Sequence, residues 1–309
     1  MAPCQTLWNR CQTGEGERAY RYTKENIMTD DKVCLITGGT NGIGLASAKE
    51  LASSGVTVTI LGRNPEKGLH CVEEIKQYAG HERVDFLLCD LSSQESIRKA
   101  AATYLDTQKP IDILLNNAGV MNLERRVTVD GFEETWAVNH LGYFLLTQLL
   151  LPRLKERPKA RIINVSSDAY SFIKGLQWDD LQFEHGYKSF KVYAHSKLAN
   201  ILFTFELARQ LEDTDMIVQT LHPGGVRTGL GQHNHAPFLK ILYKLIGPFL
   251  KKPENGAKTS VYLCTSPDIE GQEVGYWADC KRRELKSYAK DMDAAKRLWD
   301  ISLQQTGLS

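Results

Sequence analysis

In the stretch VYAHSKLAN, Tyr193 and Lys197 stand four positions apart. On a helix that is one turn, so the two side chains share a face. The chemistry open to such a pair is proton transfer. A free tyrosine loses its proton near pH ~10, too high for an efficient base near neutrality, and an ammonium beside it favours the phenolate and lowers that value. Taken alone, the pair reads equally well as two side chains on an ordinary helix. Its meaning depends on the groups the chain gathers around it.

A second set of residues suits phosphate. LITGGTNGIGLASAKEL reads as strand, glycine-rich turn and helix, with Gly38, Gly42 and Gly44 spaced G-x-x-x-G-x-G. Glycines permit a tight turn and a close backbone approach, and a helix N-terminus offers free N–H groups and a positive dipole end to a pyrophosphate. The spacing departs from the dinucleotide fingerprint G-x-G-x-x-G, but the strand before and the helix after both fit. At the end of the second strand, in ILGRNPEKG, an NAD-specific site would place a carboxylate for the ribose 2′-hydroxyl. No acid appears until Glu66, and Arg63 stands at the functional place. A guanidinium there suits a 2′-phosphate, with Lys67 adding to the field, so NADP(H) is expected ahead of NAD(H).

The elements that must hold these residues follow a regular rhythm. Strand-like apolar runs lie at 33–37, 56–61, 84–89, 111–116, 161–166 and 216–221, with helical patterns at 43–53, 66–78, 93–105, 131–151 and 194–211 between them. Strands alternating with helices at this spacing form βαβ units, and nearly continuous apolar strands are buried on both faces. The expected fold is α/β: a single doubly wound, Rossmann-type parallel sheet with helices on both faces. Residues 28–309 form that one domain, and residues 1–27 form a polar extension.

Taken in order, Thr37-Gly38-x-x-x-Gly42-x-Gly44, Asp90-Leu91, Asn116-Asn117-Ala118-Gly119, Asn139, Ser167, Tyr193-x-x-x-Lys197 and Pro223-Gly224 resemble the short-chain dehydrogenase/reductase family over nearly all of residues 30–305. The resemblance implies hydride transfer at a nicotinamide cofactor, with Tyr193 as acid or base. It implies that Lys197 tunes Tyr193 and bonds the nicotinamide ribose, and that Ser167 bonds the substrate oxygen, with Ser166 as the fallback. It implies that Asn139 holds a water in a proton relay with Lys197. The cofactor site it implies comprises Gly38, Thr40, Asn41, Gly42, Ile43, Gly44, Arg63, Asp90, Leu91, Asn116, Ala118, Gly119, Tyr193, Lys197, Pro223, Gly224, Val226 and Thr228. In it Asp90 and Leu91 lie beside the adenine and Asn116 approaches the ribose.

Within the family, LQWDDLQFEHGYKSFKVYAHSKLANILFT, NHLGYFLLTQLLLPRL, HPGGVRTGL and RLWDISLQQTGL resemble the retinol dehydrogenase and WW-domain oxidoreductase branch. That implies a lipophilic alcohol, aldehyde or ketone as substrate: a retinoid, polyprenal, steroid or lipid-derived aldehyde. A reductase of small polar carbonyls and a non-catalytic cofactor-binding adaptor are the competing readings. The segment 236–252, APFLKILYKLIGPFLKK, reads as a substrate lid, a helix touching a membrane surface, or a helix packed on the domain. His222 could line the nicotinamide pocket or fill a strand end. His195 reads as helix surface, and His233 and His235 as a solvated loop without a metal.

Composition sets the outer limits. A formal net charge of +1 and the lack of a long basic run argue against nucleic-acid binding. The seven cysteines are scattered and never spaced C-x-x-C, which fits reduced thiols. No apolar run in residues 1–27 suits a signal peptide or spanning helix, so a cytoplasmic chain is expected, with peripheral membrane contact open through 236–252. Homo-oligomerisation through helix packing is also open.

Overall fold

The computed structural model describes residues 32–226 and 251–309. Its first half lays down β1 (Val33–Thr37), α1 (Gly42–Ser53), β2 (Thr57–Gly62), α2 (Pro65–Ala79), β3 (Val84–Leu88), α3 (Gln94–Asp106) and β4 (Ile113–Asn116). There follow a short helix α4 (Glu134–Trp136), a π-turn (Ala137–Leu141), α5 (Gly142–Lys155), β5 (Arg161–Val165), α6 (Ser189–Gln210) and β6 (Ile217–Leu221). The chain then adds α7 (Pro253–Thr265), β7 (Tyr276–Ala278), β8 (Lys281–Arg283) and α8 (Met292–Gln305).

The strands form one sheet in the order β3-β2-β1-β4-β5-β6-β7-β8. All neighbours are parallel except the last pair, where β8 turns back on β7. The expected fold is the observed one. Each of the six expected strands is present within two residues of its expected bounds, and the edge hairpin is an addition. Strands β7 and β8 have three residues each, too short to show a period. The Lys281-Arg282-Arg283 edge is exposed, and its charge discourages pairing with another chain.

Helices α1, α2 and α7 pack on one face of the sheet, burying Leu51, Ile75 and Leu263. Helices α3, α5 and α6 cover the other through Tyr104, Phe144 and Phe203. Helix α8 lies outside α5 and α6, where Leu298 is buried and Trp299 meets the rings of Phe144 and Phe203 at 5.0 and 6.1 Å. The stretch after Leu298 is tied inward as well. Gln305 accepts from the Trp136 indole at 2.9 Å and from the Gln94 amide at 2.8 Å. Helix α6 is therefore central: fourteen of its 22 residues are buried.

The helix expected over 131–151 begins at Glu134, is interrupted by the π-turn, and runs on through Pro152 to Lys155. Its start is fixed by the buried Glu133, whose carboxylate accepts from the N–H groups of Thr135 and Trp136 at 2.9 and 2.7 Å. This cap satisfies donors that a helix start leaves open. The five described cysteines are free thiols. No helix among the described residues is long and apolar enough to cross a membrane.

Candidate active site

In an open α/β sheet the crevice forms where successive connections leave in opposite directions. Here that is between β1 and β4, since the chain first runs outward through β2 and β3 and then returns. A cleft of about 760 Å³ opens there. Its floor is locked at the two strand ends. Thr37 Oγ1 accepts from the N–H groups of Asn117 and Ala118 at 2.8 and 3.1 Å, and the Asn117 amide donates to the Thr37 carbonyl at 2.9 Å. Neither Thr37 nor Asn117 stood among the expected site residues as a side-chain contributor. Both lie in recognised motifs, but their roles depend on partners about 80 residues away in the chain.

The glycine loop fits this floor closely. Gly38 has φ +67°, and a β-carbon there would come within 2.8 Å of the Ala118 Cα. At Gly44 a β-carbon would stand 2.3 Å from the Gly38 carbonyl oxygen. Asn41 caps α1 by accepting from Gly42 N–H at 2.9 Å. The first turn of α1 then brings its N–H groups and positive dipole end to the cleft wall beside Ile43 and Gly44, an arrangement suited to a pyrophosphate.

Gly38, Thr40, Asn41, Gly42, Ile43, Gly44, Arg63, Asp90, Leu91, Ala118, Gly119, Pro223, Gly224 and Val226 all border the cleft, together with Ser167, Tyr193 and Lys197. Asn116 does not. It is wholly buried, and its amide donates to Thr147 Oγ1 at 3.0 Å and Asn164 Oδ1 at 2.9 Å. The expectation that it approaches the ribose is corrected: as the last residue of β4 it turns toward α5 and β5, away from the cleft. Thr228 lies outside the described residues, as do His233, His235 and positions 236–250 of the expected lid.

The candidate proton-transfer residues lie on the β5 side. Tyr193 and Lys197 share one face of α6, as their spacing requires. The Lys197 Nζ sits 5.7 Å from the centre of the Tyr193 ring and 5.6 Å from that of Tyr143, and donates to the Val165 carbonyl at 2.9 Å. It is 2% exposed and has no carboxylate partner among the described residues. Burial pushes its ammonium down to about 7 from the ordinary 10.5. Tyr143, four residues after Asn139, is a neighbour of Lys197 not foreseen from the sequence. Its phenol is sealed in the core, pushed well up by burial, and donates to the Ala118 carbonyl at 2.6 Å. Of the two rings flanking the lysine, Tyr193 is the one that borders the cleft.

The two serines differ in what they are committed to. Ser166 is 1% exposed and donates its hydroxyl to the Lys197 carbonyl at 2.7 Å. Ser167 accepts from Ala169 N–H at 3.2 Å while capping a 3₁₀ turn, which leaves its proton for the cleft. This geometry favours Ser167. Asn139 is wholly buried in the π-turn. Both ends of its side chain are occupied, with Oδ1 accepting from Val120 N–H at 2.8 Å and Nδ2 donating to the Val120 carbonyl at 3.0 Å and Ser196 Oγ at 2.9 Å. In that turn Gly142 N–H reaches back to the Ala137 carbonyl. Such turns alter the carbonyl ladder and recur at functional sites.

His222 borders the cleft and stacks on Tyr276 at 5.6 Å. Its Nδ1 accepts from Gly224 N–H at 3.1 Å, so the neutral ring carries its proton on Nε2. Burial lowers its affinity for a second proton. His195, expected on the helix surface, is 1% exposed and accepts from Gln177 N–H through Nε2 at 2.8 Å. The turn around the helix axis that separates it from Tyr193 places it under the 170s loop rather than in water. At the mouth of the cleft, Phe172 and Phe190 are 72% and 49% exposed, edge to face at 5.4 Å. No metal-binding cluster occurs among the described residues.

A family model described as short chain dehydrogenase matches residues 32–237. Among curated proteins, Retinol dehydrogenase 14 of Homo sapiens is 42% identical over 98% of this chain and 95% of its own length. Polyprenol dehydrogenase of Homo sapiens is 39% identical over 90% of this chain and 86% of its own. Among solved structures, an uncharacterised protein from Mycobacterium paratuberculosis aligns at a TM-score of 0.73 and 30% identity, covering 93% of this chain and 97% of that one.

Proposed function

Because this chain belongs to the short-chain dehydrogenase family and is an oxidoreductase of that family, we propose that it interconverts a lipophilic alcohol and its aldehyde or ketone with NADP(H). The observation that carries this reading is the grouping of Ser167, Tyr193 and Lys197 on one wall of a cleft whose opposite wall is the Gly38–Gly44 loop. A dinucleotide suits the residues present. The start of α1 would hold the pyrophosphate, and the Lys197 ammonium, buried without an anionic partner among the described residues, would bond ribose hydroxyls. Arg63 would hold the 2′-phosphate.

The cofactor supplies or accepts the hydride. In the reducing direction, Tyr193 gives its proton to the substrate oxygen while Ser167 donates a hydrogen bond to the same atom. In the oxidising direction Tyr193 takes that proton back. The Lys197 ammonium stabilises the phenolate that forms, and Tyr143, held by Ala118, keeps the lysine in place from behind. His222 steadies the Pro223–Gly225 loop through Gly224.

The substrate class rests on the rim. Two exposed phenylalanines packed on each other offer apolar surface beside the reacting groups. The names of the similar proteins, retinol and polyprenol dehydrogenases, point the same way. The test is NADPH oxidation with retinal, a polyprenal, a long-chain enal, a steroid ketone and a small sugar, with Tyr193→Phe run beside the parent. Turnover of an apolar carbonyl that depends on Tyr193 is expected. Turnover of the sugar alone overturns the substrate class, and tight NADPH binding without turnover of any carbonyl revives the adaptor.

A further inference from the structure

The missing acid at the end of β2 has a substitute from elsewhere in the chain. Glu134, at the start of α4, places Oε1 4.0 Å from Arg63 Nη1 across the mouth of the cleft. Both residues border the cleft where β2 ends. The carboxylate is the fixed partner. Its Oε2 accepts from the Asn122 amide at 2.8 Å, and its side chain is 17% exposed against 53% for Arg63. The carboxylate also sits in a helix first turn, where the dipole stabilises it. The guanidinium is the more exposed one.

We propose that Glu134 is a cofactor-discriminating residue, a built-in competitor that holds down the advantage Arg63 gives to a 2′-phosphorylated dinucleotide. The inference rests on the reading of Arg63 as the 2′-phosphate partner. With a 2′-hydroxyl, Arg63 can stay on Glu134 undisturbed. With a 2′-phosphate, Arg63 would be shared between two anions, and a phosphate near −2 would stand close to a carboxylate held by Asn122. Like charges at that range oppose binding even at a half-exposed site, though screening keeps the effect modest. The chain thus carries a cation that favours one cofactor and an acid that tempers the preference. The two lie about 70 residues apart, so no local motif announces the pair.

The test measures the binding of NADPH and of NADH separately, by quenching of protein fluorescence, in the parent, Arg63→Gln, Glu134→Gln and Glu134→Asp. Glu134→Gln keeps the shape and an acceptor for Asn122 while removing the charge. It is expected to tighten NADPH binding about 3–10-fold, of the order one partly screened charge supplies, with NADH changed less than about 2-fold. Glu134→Asp, which keeps the charge, stays near the parent ratio. If Arg63→Gln weakens NADPH but Glu134→Gln leaves the ratio of the two affinities unmoved, the inference falls while the role of Arg63 stands. If Arg63→Gln weakens neither cofactor selectively, the reading of Arg63 falls and takes the inference with it. A thermal melt that leaves Glu134→Gln within a few degrees of the parent separates a charge effect from a lost helix start.

Discussion

The ammonium of Lys197 lies 5.7 Å from the ring of Tyr193 with a backbone carbonyl, not a carboxylate, as its hydrogen-bond partner. A surface lysine would pair with an acid and gain little. This one is buried and, among the described residues, unneutralised, a state that costs the protein stability and leaves a positive field to act on the phenol beside it.

The pH dependence follows with a definite sign. Unfolded, the lysine keeps its proton up to pH ~10.4; folded, it releases it near about 7. Between those values the unfolded chain holds the extra proton, so this group makes stability rise with pH across that window. Below it the ammonium is charged in both states and the full cost of burial stands. Lys197→Met is therefore expected to stabilise the cofactor-free protein by about 1–3 kcal/mol at pH 6, and by progressively less toward pH 10. Urea unfolding of both proteins at several pH values checks this. A difference that does not change with pH would contradict the assignment.

Asn116 and Asn117 are adjacent and should fail differently. Asn116→Ala empties a buried hydrogen-bonded position and is expected to lower stability by about 1–3 kcal/mol while leaving the KM for cofactor unchanged. Asn117→Ala loosens the tie between Thr37, Gly38 and β4, and is expected to raise the cofactor KM several-fold. Parallel melts and cofactor titrations distinguish the two. The reverse pattern would return Asn116 to the cleft.

Gly44→Ala would set a methyl group 2.3 Å from the Gly38 carbonyl oxygen. The loop must open to admit it, and overpacking of this kind costs about 1–3 kcal/mol. Cofactor affinity is expected to fall at least about 10-fold, since the loop holds its phosphate-facing geometry only when closed. Isothermal titration measures this directly. Unchanged affinity would mean that the pyrophosphate does not sit on this loop.

The rim offers a test of substrate class. Truncating both Phe172 and Phe190 to alanine removes the apolar surface at the mouth. The KM for a long apolar aldehyde is expected to rise about 5–30-fold, the range that losing one or two partly buried aromatic contacts gives. The KM for a small carbonyl should stay put. Equal effects on both would assign the pair to structure rather than recognition.

Local sequence carried most of the architecture because each strand and helix states its own period. VCLIT and RIINV are short, mostly apolar runs bounded by turn signals and set between helical patterns, which reads as central strands, and the glycine loop is contiguous. What escaped the sequence depended on distant contacts. The π-turn at Ala137–Leu141 has no residue signature, although it determines that Asn139 spends its side chain on Val120 and Ser196. Asn116 and Asn117 look alike in the chain, and only the alternation of a strand against its neighbours turns one inward and the other toward the cleft. Tyr143 carries a signal in retrospect: it lies one helical turn after Asn139, so a tyrosine there faces the same interior.

The ties between α8 and α4 bear on how the protein is made. Trp136 and Gln305 are 169 residues apart in sequence, and Gln94 reaches the same glutamine across 211. Synthesis runs from the first residue to the last, so more than half of the chain is translated between the appearance of Trp136 and that of its partner. The helix that carries Asn139 and Tyr143 leaves the ribosome long before the segment that covers its far side. Until Leu298 and Trp299 arrive, the apolar flank of α5 and α6 stays open to chaperones or to wrong partners. The support for the candidate site's wall is thus synthesised well after Tyr193 and Lys197, and a stop codon anywhere in α8 would release a protein in which both are encoded but their supporting wall is unfinished.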